Sequence, residues 1–462
     1  MSLAIHQAQA PLEFIPPAFN PYVLRITQLL LPAWIRSQTI ISQIEAENVK
    51  TLVKLVNEFQ QKKIRFLLAF RHPQVEDPFS LGYLFSHIVP KVAKQEKIKL
   101  NYPVHAHFIY DRGIPLWAGS HVGWYLSRMG GTPIQRGKAD WTGLKSARNL
   151  FAEANFPMGA APEGATNGLS EIISPLEPGI AQLGFWCAED LQKAGRSEQV
   201  FILPVGIKYS YVSPPWESIN KLLSELEEAS GLTVDDSGFD TALPQERLYP
   251  RLIRLAENLL TVMEDFYKRF YHHSSEVKTT EIETSDGNEA IATRLKALLN
   301  TALKVSEEYF DLLPKGNFND RCRRVEQAGW NYIFREDFKD NKSLSIIEKR
   351  LADRVAEEAN LRMWHMRLVE SFVAVTGKYV REKPTAERFA ETTLILWDVV
   401  ARIKGGNPFK RPKLGKQKAN ITIGEPMSIS DRFEDYQKNR KAARIAVGDF
   451  TNDLQKAMEK LI

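Results

Sequence analysis

Residues 64–78 read IRFLLAFRHPQVEDP, and this stretch decides the fold class of the chain. The first seven residues form a short, mostly apolar run with lysines before it, and its length and flanking charge predict a buried β-strand. Asp77 stands directly before Pro78, and a capping residue followed by proline is a common way for a helix to begin. We therefore predict a strand, a short loop and then a helix from Pro78 to about residue 94.

The alternation of strand and helix continues on both sides of this stretch. Apolar patterns predict further elements between about residues 41 and 212. The predicted strands are 64–70, 104–110, 156–161 and 200–209, and the predicted helices are 51–61, 78–94 and 141–153. Strands that alternate with helices of about ten to fifteen residues predict an α/β fold, in which a mixed sheet is flanked by helices.

After about residue 216 the pattern becomes helical. The segments with helical periodicity are 244–271, 286–312, 320–337, 343–378 and 384–404. A strand pattern returns at 419–424 and an amphipathic helix follows at 433–461. Because a lone strand has no partner, we expect it to pair with the earlier sheet, which makes the helical region a large insertion before the last strand. The predicted domains are an N-terminal amphipathic or interfacial segment (1–40), a core (41–215), an all-helical insertion (216–415) and the closing strand and helix of the core (416–462).

Composition and cysteine usage exclude several classes of protein. The chain has 462 residues, of which 44% are hydrophobic and 25% charged, so it is neither disordered as a whole nor fibrous. Cys187 and Cys322 are its only cysteines, which excludes a disulfide scaffold or a cysteine-rich zinc module and favours a reducing compartment. The formal net charge of +5 permits an anionic partner without requiring one.

The sequence predicts a cytoplasmic protein without a membrane-spanning helix. Its apolar runs are far shorter than the roughly 18 residues that a spanning helix needs, and its start lacks the features of a signal peptide. Residues 22–35 are amphipathic, with Arg25, Thr27 and Gln28 as their polar members. Two interpretations of this segment are open. It lies in a bilayer interface, so that the protein is peripherally associated with a membrane, or it packs on the protein's own core.

The first candidate for chemistry is the pair His72 and Asp77, in the loop after the strand 64–70. Histidine is the usual general base near neutral pH, and a neighbouring carboxylate can fix its tautomer and stabilise the imidazolium ion. The alternative is purely local, because Asp77 followed by Pro78 is also an ordinary helix start. The spacing alone prefers neither interpretation.

Three further segments contain residue types that binding sites use. In 130–136 (GGTPIQR), the glycines allow a close backbone approach and Arg136 offers a fork for a phosphate. Residues 161–168 (APEGATNG) form a turn that presents Glu163, and Pro204 interrupts an apolar strand, which predicts an edge strand or a bulge. Taken singly, each has a plainer explanation: a glycine turn with an exposed arginine, an ordinary turn and an ordinary edge strand.

Taken together and in order, these segments resemble the motifs of the glycerolipid acyltransferase family, which includes the lysophosphatidic acid and glycerol-3-phosphate acyltransferases. The similar blocks are the catalytic H-x4-D at His72 and Asp77, G-x-x-[FI]-x-R at Gly131 to Arg136, F-P-E-G at Pro162-Glu163-Gly164, [VI]-P-[VI] at Leu203-Pro204-Val205, and the closing I-G-x-P-[IM] at Ile423 to Met427. The resemblance covers about 41–212 and 416–462, and it leaves the helical insertion unexplained.

This resemblance implies an acyltransferase of phospholipid synthesis with a glycerolipid-acyltransferase-like core. A fatty acyl group would pass from a thioester, either acyl-CoA or acyl-carrier protein, to the hydroxyl of a lysophospholipid or glycerol phosphate. His72 would take the proton from that hydroxyl, and Asp77 would orient His72. Arg136 would hold the phosphate of the acceptor. The other residues that the resemblance assigns to the acceptor site are Gly131, Pro162, Glu163 and Gly164.

The chain departs from the family pattern next to these residues. The family usually has Asn before the histidine, where this chain has Arg71, and often Asp before the arginine, where this chain has Gln135. Pro133 stands where Phe is frequent, and 165–167 read Ala-Thr-Asn where the family usually has Thr-Arg-Ser. Because the residues assigned to catalysis are kept, we expect these departures to affect which acceptor binds more than whether transfer occurs.

The resemblance implies direct transfer, which needs no metal, no bound cofactor and no acyl-enzyme, and no nucleic-acid partner is predicted. His105 and His107 lie on one side of a predicted strand without a third ligand, so a packing or a surface position is favoured over a metal site. His365 is predicted to pack between helices. The basic run 402–418 is interpreted as a mobile linker back to the sheet, with attraction to an anionic bilayer or an acidic carrier protein as the alternative.

Two other functions remain open. The same fold can act on an acceptor without phosphate, as the altered second and third blocks suggest. Alternatively, the chain is a catalytically inactive, membrane-associated scaffold that uses the helical insertion.

Overall fold

The computed structural model describes residues 7–135, 140–234, 243–274, 287–338, 344–372, 378–408 and 410–462. The chain forms two compact units. The first, called the sheet unit, contains Glu13–Val212 and Lys416–Ile462. The second, called the helical unit, contains the residues up to Leu12 and Ser213–Gly415. The predicted segment 1–40 is therefore divided between the two units.

The sheet unit contains one eight-stranded sheet. Its strands are β1 (Ile41–Glu47), β2 (Ile64–Phe70), β3 (His107–Asp111), β4 (Gly131–Ile134), β5 (Met158–Ala160), β6 (Gln199–Tyr211), β7 (Gln417–Ile423) and β8 (Met427–Ser428). The strand order is β1-β7-β6-β2-β5-β3-β4, and β8 pairs with β6 beside this path. The β6–β7 and β6–β8 pairs are antiparallel and the others are parallel, so the predicted α/β fold with a mixed sheet is confirmed.

The sheet is covered on both faces, which explains why β2 is a continuous apolar run. Phe66, Leu68 and Phe70 belong to the core on one face, whereas Leu67 and Ala69 belong to the core on the other. A strand buried on both faces has no polar side and therefore does not alternate. The prediction of a buried strand at 64–70 is confirmed over its whole length.

The late strand pairs with the earlier sheet, as predicted. β7 lies between β1 and β6, and Tyr211 at the end of β6 stands opposite Gln417 at the start of β7. The N–H of Val212 also donates to the carbonyl of Lys416 at 3.0 Å. The chain therefore leaves the sheet unit and returns to it at neighbouring positions.

Pro204 lies in an interior strand, so the prediction of an edge strand is wrong. β6 pairs with β2 on one side and with β7 and β8 on the other. The carbonyl of Pro204 accepts the N–H of Gly424 at 2.9 Å, in the gap between β7 and β8. Because the nitrogen and the carbonyl of a strand residue face the same side, the missing N–H of proline falls in this gap, where the ladder is already interrupted.

Helices flank the sheet. The helices that precede β6 along the chain are α1 (Pro21–Gln38), α2 (Val49–Gln60), α3 (Asp77–Tyr83), α4 (Val89–Gln95), α5 (Ile114–Ala118), α6 (Ser120–Arg128), α7 (Trp141–Glu153) and α8 (Gly179–Lys193). A π-helical turn, Leu84–Ile88, joins α3 to α4, so the predicted helix 78–94 contains an irregular segment. No helix in the described part of the chain is long and apolar enough to cross a bilayer.

The helical unit has a core of its own. Its helices are α9 (Trp216–Ala229), α10 (Pro244–Phe270), α11 (Gly287–Tyr309), α12 (Phe318–Ile333), α13 (Ile346–Glu370), α14 (Tyr379–Glu382) and α15 (Ala386–Ile403). The hydroxyl of Tyr267 on α10 lies 2.8 Å from Nδ1 of His365 on α13, which confirms that His365 packs between helices. Within the basic run, Arg411 pairs with Asp398.

The end of the chain returns to the sheet unit as two helices, α16 (Phe433–Gln437) and α17 (Arg440–Glu459). The sequence predicts one helix over 433–461. The helix is interrupted before Asn439, whose side chain accepts the N–H of Ala442 at 2.9 Å and caps α17. The buried residues Phe450, Leu454 and Met458 of α17 complete the core on the second face of the sheet.

Candidate active site

Two loops meet at the carboxyl ends of β2 and β5, which are parallel neighbours. The first loop follows Phe70 and contains His72, and α3 begins after it with Asp77. The second loop follows Ala160 and contains Glu163. Crevices at the carboxyl ends of parallel strands are where ligands bind in open α/β sheets.

His72 and Asp77 form a direct hydrogen bond. Nδ1 of His72 lies 2.8 Å from Oδ2 of Asp77, and because a carboxylate only accepts, Nδ1 carries the proton. Asp77 is fully buried, whereas the side chain of His72 is 24% exposed. Nε2 has no hydrogen-bond partner among the described residues, so it is the nitrogen that can accept a proton from outside.

Tyr209 is a third member of this array, and the sequence does not predict it. Its hydroxyl donates to Oδ1 of Asp77 at 2.5 Å, and the residue is almost fully buried. Val205 pairs with Phe70 at the end of β2, so β6 continues past β2 and carries Tyr209 over the loop. Burial, and then the neighbouring carboxylate of Asp77, raise the pKa of Tyr209 well above its usual value, so the phenol keeps its proton.

The side chain of Glu163 joins the two loops by hydrogen bonds. Its Oε1 accepts the backbone N–H of His72 at 3.0 Å, and its Oε2 accepts the N–H of Ser174 at 2.9 Å. Asn167 donates to Oε2 at 3.2 Å. Burial raises the pKa of Glu163, and the Arg71 guanidinium together with these N–H groups opposes part of that rise. The described contacts therefore fix the backbone of His72, and a role in the acceptor pocket stays a prediction.

Arg71 stands where the related motif usually has Asn, and it is completely buried. Its guanidinium donates to the carbonyls of Leu169, Ser170 and Ile172, all in the second loop. Its Nε also lies 3.9 Å from Oε1 of Glu163. Five donors in a planar fork suit several acceptors at once, so Arg71 holds the second loop against the first.

The other predicted residues of these segments have backbone roles in the structure. Gly164 has φ of +73°, a conformation that glycine adopts without strain, and the carbonyl of Pro162 accepts the N–H of Glu177 at 2.8 Å. Gly131 begins β4 instead of forming the predicted turn, and a Cβ there would lie 2.6 Å from the ring of Phe108. The turn itself is at Gly130, which has φ of +81°.

Arg136, the predicted phosphate ligand, lies outside the described residues. The residues on either side of 136–139 are held together, because Oδ2 of Asp140 accepts the N–H of Gln135 at 2.9 Å. Asp140 also pairs with Arg112. β4 lies three strands from β2, which at the usual strand spacing is about 14 Å. A ligand that reaches from His72 to the end of β4 therefore has to be extended.

His105 and His107 are buried packing residues, as predicted. Nε2 of His105 lies 2.8 Å from the carbonyl of Met129, and Nδ1 of His107 lies 2.9 Å from that of Gly130. Burial lowers the pKa of His105 to about 4, so it is neutral at physiological pH. Across the described residues, no group of three or more His, Cys, Asp or Glu side chains could hold a metal ion.

No known protein family model, curated protein or solved structure matches the chain. The chemistry of the site therefore follows from its own geometry. A partly exposed imidazole, oriented by a buried carboxylate and open at Nε2, can remove a proton from a hydroxyl and return it to a leaving group.

We predict that Arg71→Ala lowers the free energy of unfolding by about 3–5 kcal/mol, because it leaves buried acceptors and the Glu163 carboxylate without a cation. Chemical denaturation followed by circular dichroism measures this loss. Arg148→Ala is the matched control, since Arg148 pairs with Asp190 at a partly exposed position and such pairs contribute about 1 kcal/mol or less. Equal losses in the two variants would contradict the role of Arg71.

Proposed function

We propose that this chain is an acyltransferase that moves a fatty acyl group from an acyl thioester to the hydroxyl of a lysophospholipid or glycerol phosphate. The observation that carries the proposal is the His72–Asp77 hydrogen bond of 2.8 Å, with Nε2 unbonded by the described residues. The order of the five sequence blocks that resemble the glycerolipid acyltransferases supports the same reaction. The family likeness of the core is part of this proposal.

In the proposed reaction, Nε2 of His72 takes the proton of the acceptor hydroxyl as its oxygen attacks the thioester carbonyl. The tetrahedral intermediate then collapses, the carbon–sulfur bond breaks, and the thiolate of coenzyme A or of the carrier protein leaves. His72 returns the proton to this sulfur, and the ester product carries the acyl group. Asp77 stabilises the imidazolium ion and keeps the proton on Nδ1, which leaves Nε2 free to act.

The arrangement of strands supports a phosphate-bearing acceptor. Along the sequence Arg136 follows β4, and β4 lies three strands from β2, about 14 Å at the usual strand spacing. We propose that the phosphate of the acceptor is bound near the end of β4 and that its glycerol hydroxyl is bound near His72. Arginine suits phosphate because its planar fork can bind two oxygens at once.

The outer face of α1 supports access to a membrane. Its inward residues Leu24, Leu31 and Ile35 are buried, so one face packs on the protein's own core. The opposite face exposes large apolar side chains at helical spacing, namely Tyr22, Ile26, Leu29, Leu30 and Trp34. The charged residues of the helix are Arg25 and Arg36, so an anionic bilayer surface complements this face. We propose that α1 lies in the interface and that the protein is peripherally associated with the membrane from the cytoplasm.

This interfacial helix packs directly against the helix that carries Asp77. The ring centroids of Trp34 and of Phe79 on α3 lie 6.5 Å apart, and a Cβ on Gly82 of α3 would lie 3.1 Å from Cδ2 of Leu31. A bilayer that receives α1 would therefore lie close to the proposed reaction centre. Such an arrangement lets a lipid acceptor reach His72 without leaving the membrane surface.

We predict that His72→Ala lowers kcat of acyl transfer by about 10²–10⁴-fold, the usual contribution of a general base. The assay pairs acyl-CoA and acyl-carrier-protein donors with lysophosphatidic acid, glycerol phosphate and monoacylglycerol, and it measures the lipid product. His273→Ala is the control, because His273 pairs with Glu308 in the helical unit. A fully active His72→Ala variant would remove His72 from the mechanism, and no transfer by the wild type with any pair would favour the scaffold hypothesis.

We predict that Arg136→Ala raises KM for phosphate-bearing acceptors by about 10–100-fold, the loss expected for a hydrogen bond to a charged group. KM for monoacylglycerol should stay unchanged. Lys145→Ala, an exposed cation on α7, serves as the control and should change neither value by more than about twofold. If Arg136→Ala leaves the affinity for phosphate-bearing acceptors intact, the phosphate assignment fails and an acceptor without phosphate is favoured.

We predict that a double variant, Leu29→Asp with Leu30→Asp, weakens binding to vesicles of phosphatidylcholine and phosphatidylglycerol at least tenfold. Burial of each leucine in an apolar medium contributes about 1.5–3 kcal/mol, which an aspartate cannot replace. Vesicle co-sedimentation of the full chain measures the effect. Leu361→Asp is the control, since Leu361 is similarly exposed on α13. Unchanged sedimentation of the double variant would show that α1 is not the membrane contact.

A further inference from the structure

Asp77 divides its two oxygens between two sets of donors. Oδ2 accepts Nδ1–H of His72 at 2.8 Å and the backbone N–H of Gln74 at 2.9 Å. Oδ1 accepts the hydroxyl of Tyr209 at 2.5 Å and no other hydrogen bond from a described residue. Because Asp77 is fully buried, a donor lost from Oδ1 cannot readily be replaced by bulk water.

Tyr209 is held in this place by the strand that carries it. In β6 it stands opposite Ala419 of β7, and its own N–H faces Oγ of Ser170 at 3.4 Å. Its side chain belongs to the apolar core on the face of the sheet that α2 and α3 cover. The phenol is therefore buried beside Asp77, and it stays protonated because burial raises its pKa.

We infer that Tyr209 is a positioning residue, whose hydroxyl shares Asp77 with His72 and thereby sets how strongly the imidazole holds a proton. A donor on Oδ1 draws negative charge away from Oδ2, so it weakens the attraction between the carboxylate and the imidazolium ion. It also fixes the rotation of the carboxylate, so that Oδ2 faces Nδ1. Removal of the hydroxyl concentrates charge on Oδ2 and should make His72 more basic.

Several charged or titratable groups lie around His72 and Asp77 on the neighbouring elements. Arg71 and Glu76 belong to the loop before α3, Glu163 belongs to the loop after β5, and Tyr209 belongs to β6. Replacing Tyr209 by Phe leaves the first three in place. A change in the titration of His72 can therefore be assigned to the phenol hydroxyl.

The test is an NMR titration of His72 in the full-length chain labelled at the histidine rings. Its signal is assigned by its loss in His72→Gln. In Tyr209→Phe we expect the pKa of His72 to rise by about half a pH unit to one pH unit. Tyr110→Phe is the matched control, because Tyr110 is also buried in the sheet and its hydroxyl has no partner within the described part of the chain. An unchanged or lowered pKa in Tyr209→Phe overturns the inference.

A double-variant cycle separates an effect through Asp77 from a general loss of packing. In an Asp77→Asn background the charge that Tyr209 shares is absent, so Tyr209→Phe should no longer move the titration of His72. The same shift in both backgrounds overturns the inference. Should Tyr209→Phe not fold, a ring-fluorinated tyrosine at position 209 keeps the shape and donates more strongly, so the pKa of His72 should fall instead, and no change overturns the inference.

The kinetic arm rests on the proposed function, whereas the titration does not. If His72 is the general base, activity rises as pH passes the pKa of His72. The acidic limb of the kcat/KM profile of Tyr209→Phe should then move to higher pH by the same amount as the NMR titration. A shifted titration without any acyl transfer would leave Tyr209 as the positioning residue of the pair and reject the reaction, so the two failures are distinguishable.

Discussion

Two carboxylates, Asp77 and Glu163, lie behind His72 out of contact with water, and this constraint governs the rest of the site. A buried carboxylate without donors costs several kcal/mol, so each oxygen has to find a partner within the protein. The donors come from three different parts of the chain: the loop after β2, the loop after β5 and the far end of β6. Satisfying the two carboxylates therefore forces these three segments into one arrangement, and His72 is fixed as a consequence.

Arg71 shows how this arrangement tolerates a change in the motif. It precedes His72, points inward and donates to three carbonyls of the second loop. The hydrogen bond of 2.8 Å between His72 and Asp77 joins two other side chains. Two departures of this chain from the pattern it resembles, Arg71 and Asn167, thus fall on residues that hold loops, while His72 and Asp77 are kept.

The sequence predicts those parts of the molecule whose cause is local. The sequence predicts β2 over its full length because burial on both faces makes it mostly apolar. The short loop after β2 makes the pairing of His72 with Asp77 possible, but the spacing leaves it open against a plain helix start. β1 was missed because, as an edge strand, it exposes most of its side chains, and β4 was missed because it consists of a short segment with glycine and proline. The break before α17 depends on a single capping residue, Asn439.

The contacts that the sequence could not reveal are those set by register between distant strands. Tyr209 lies more than 130 residues from Asp77, and no spacing rule connects a tyrosine on a strand with a carboxylate at a helix start. Its position follows only once Val205 is known to pair with Phe70. The signal in the sequence is limited to a tyrosine on the apolar face of a strand, which is common in cores.

The topology makes this register depend on residues at the other end of the chain. Beyond Val205, β6 has no neighbour in β2, and within the described sheet its last six residues pair only with β7. Since β7 follows the helical unit, the part of β6 that carries Tyr209 is held by a strand that the chain supplies only after Gly415. The entropic cost of bringing β6 and β7 together across this long stretch of chain is modest, because the entropy of closing a loop grows only with the logarithm of its length. The two ends of the stretch, Val212 and Lys416, are hydrogen-bonded neighbours. In the order of the chain, the helical unit thus stands where a short turn would otherwise join β6 to β7. The geometry around Asp77 is complete only when β7 has paired.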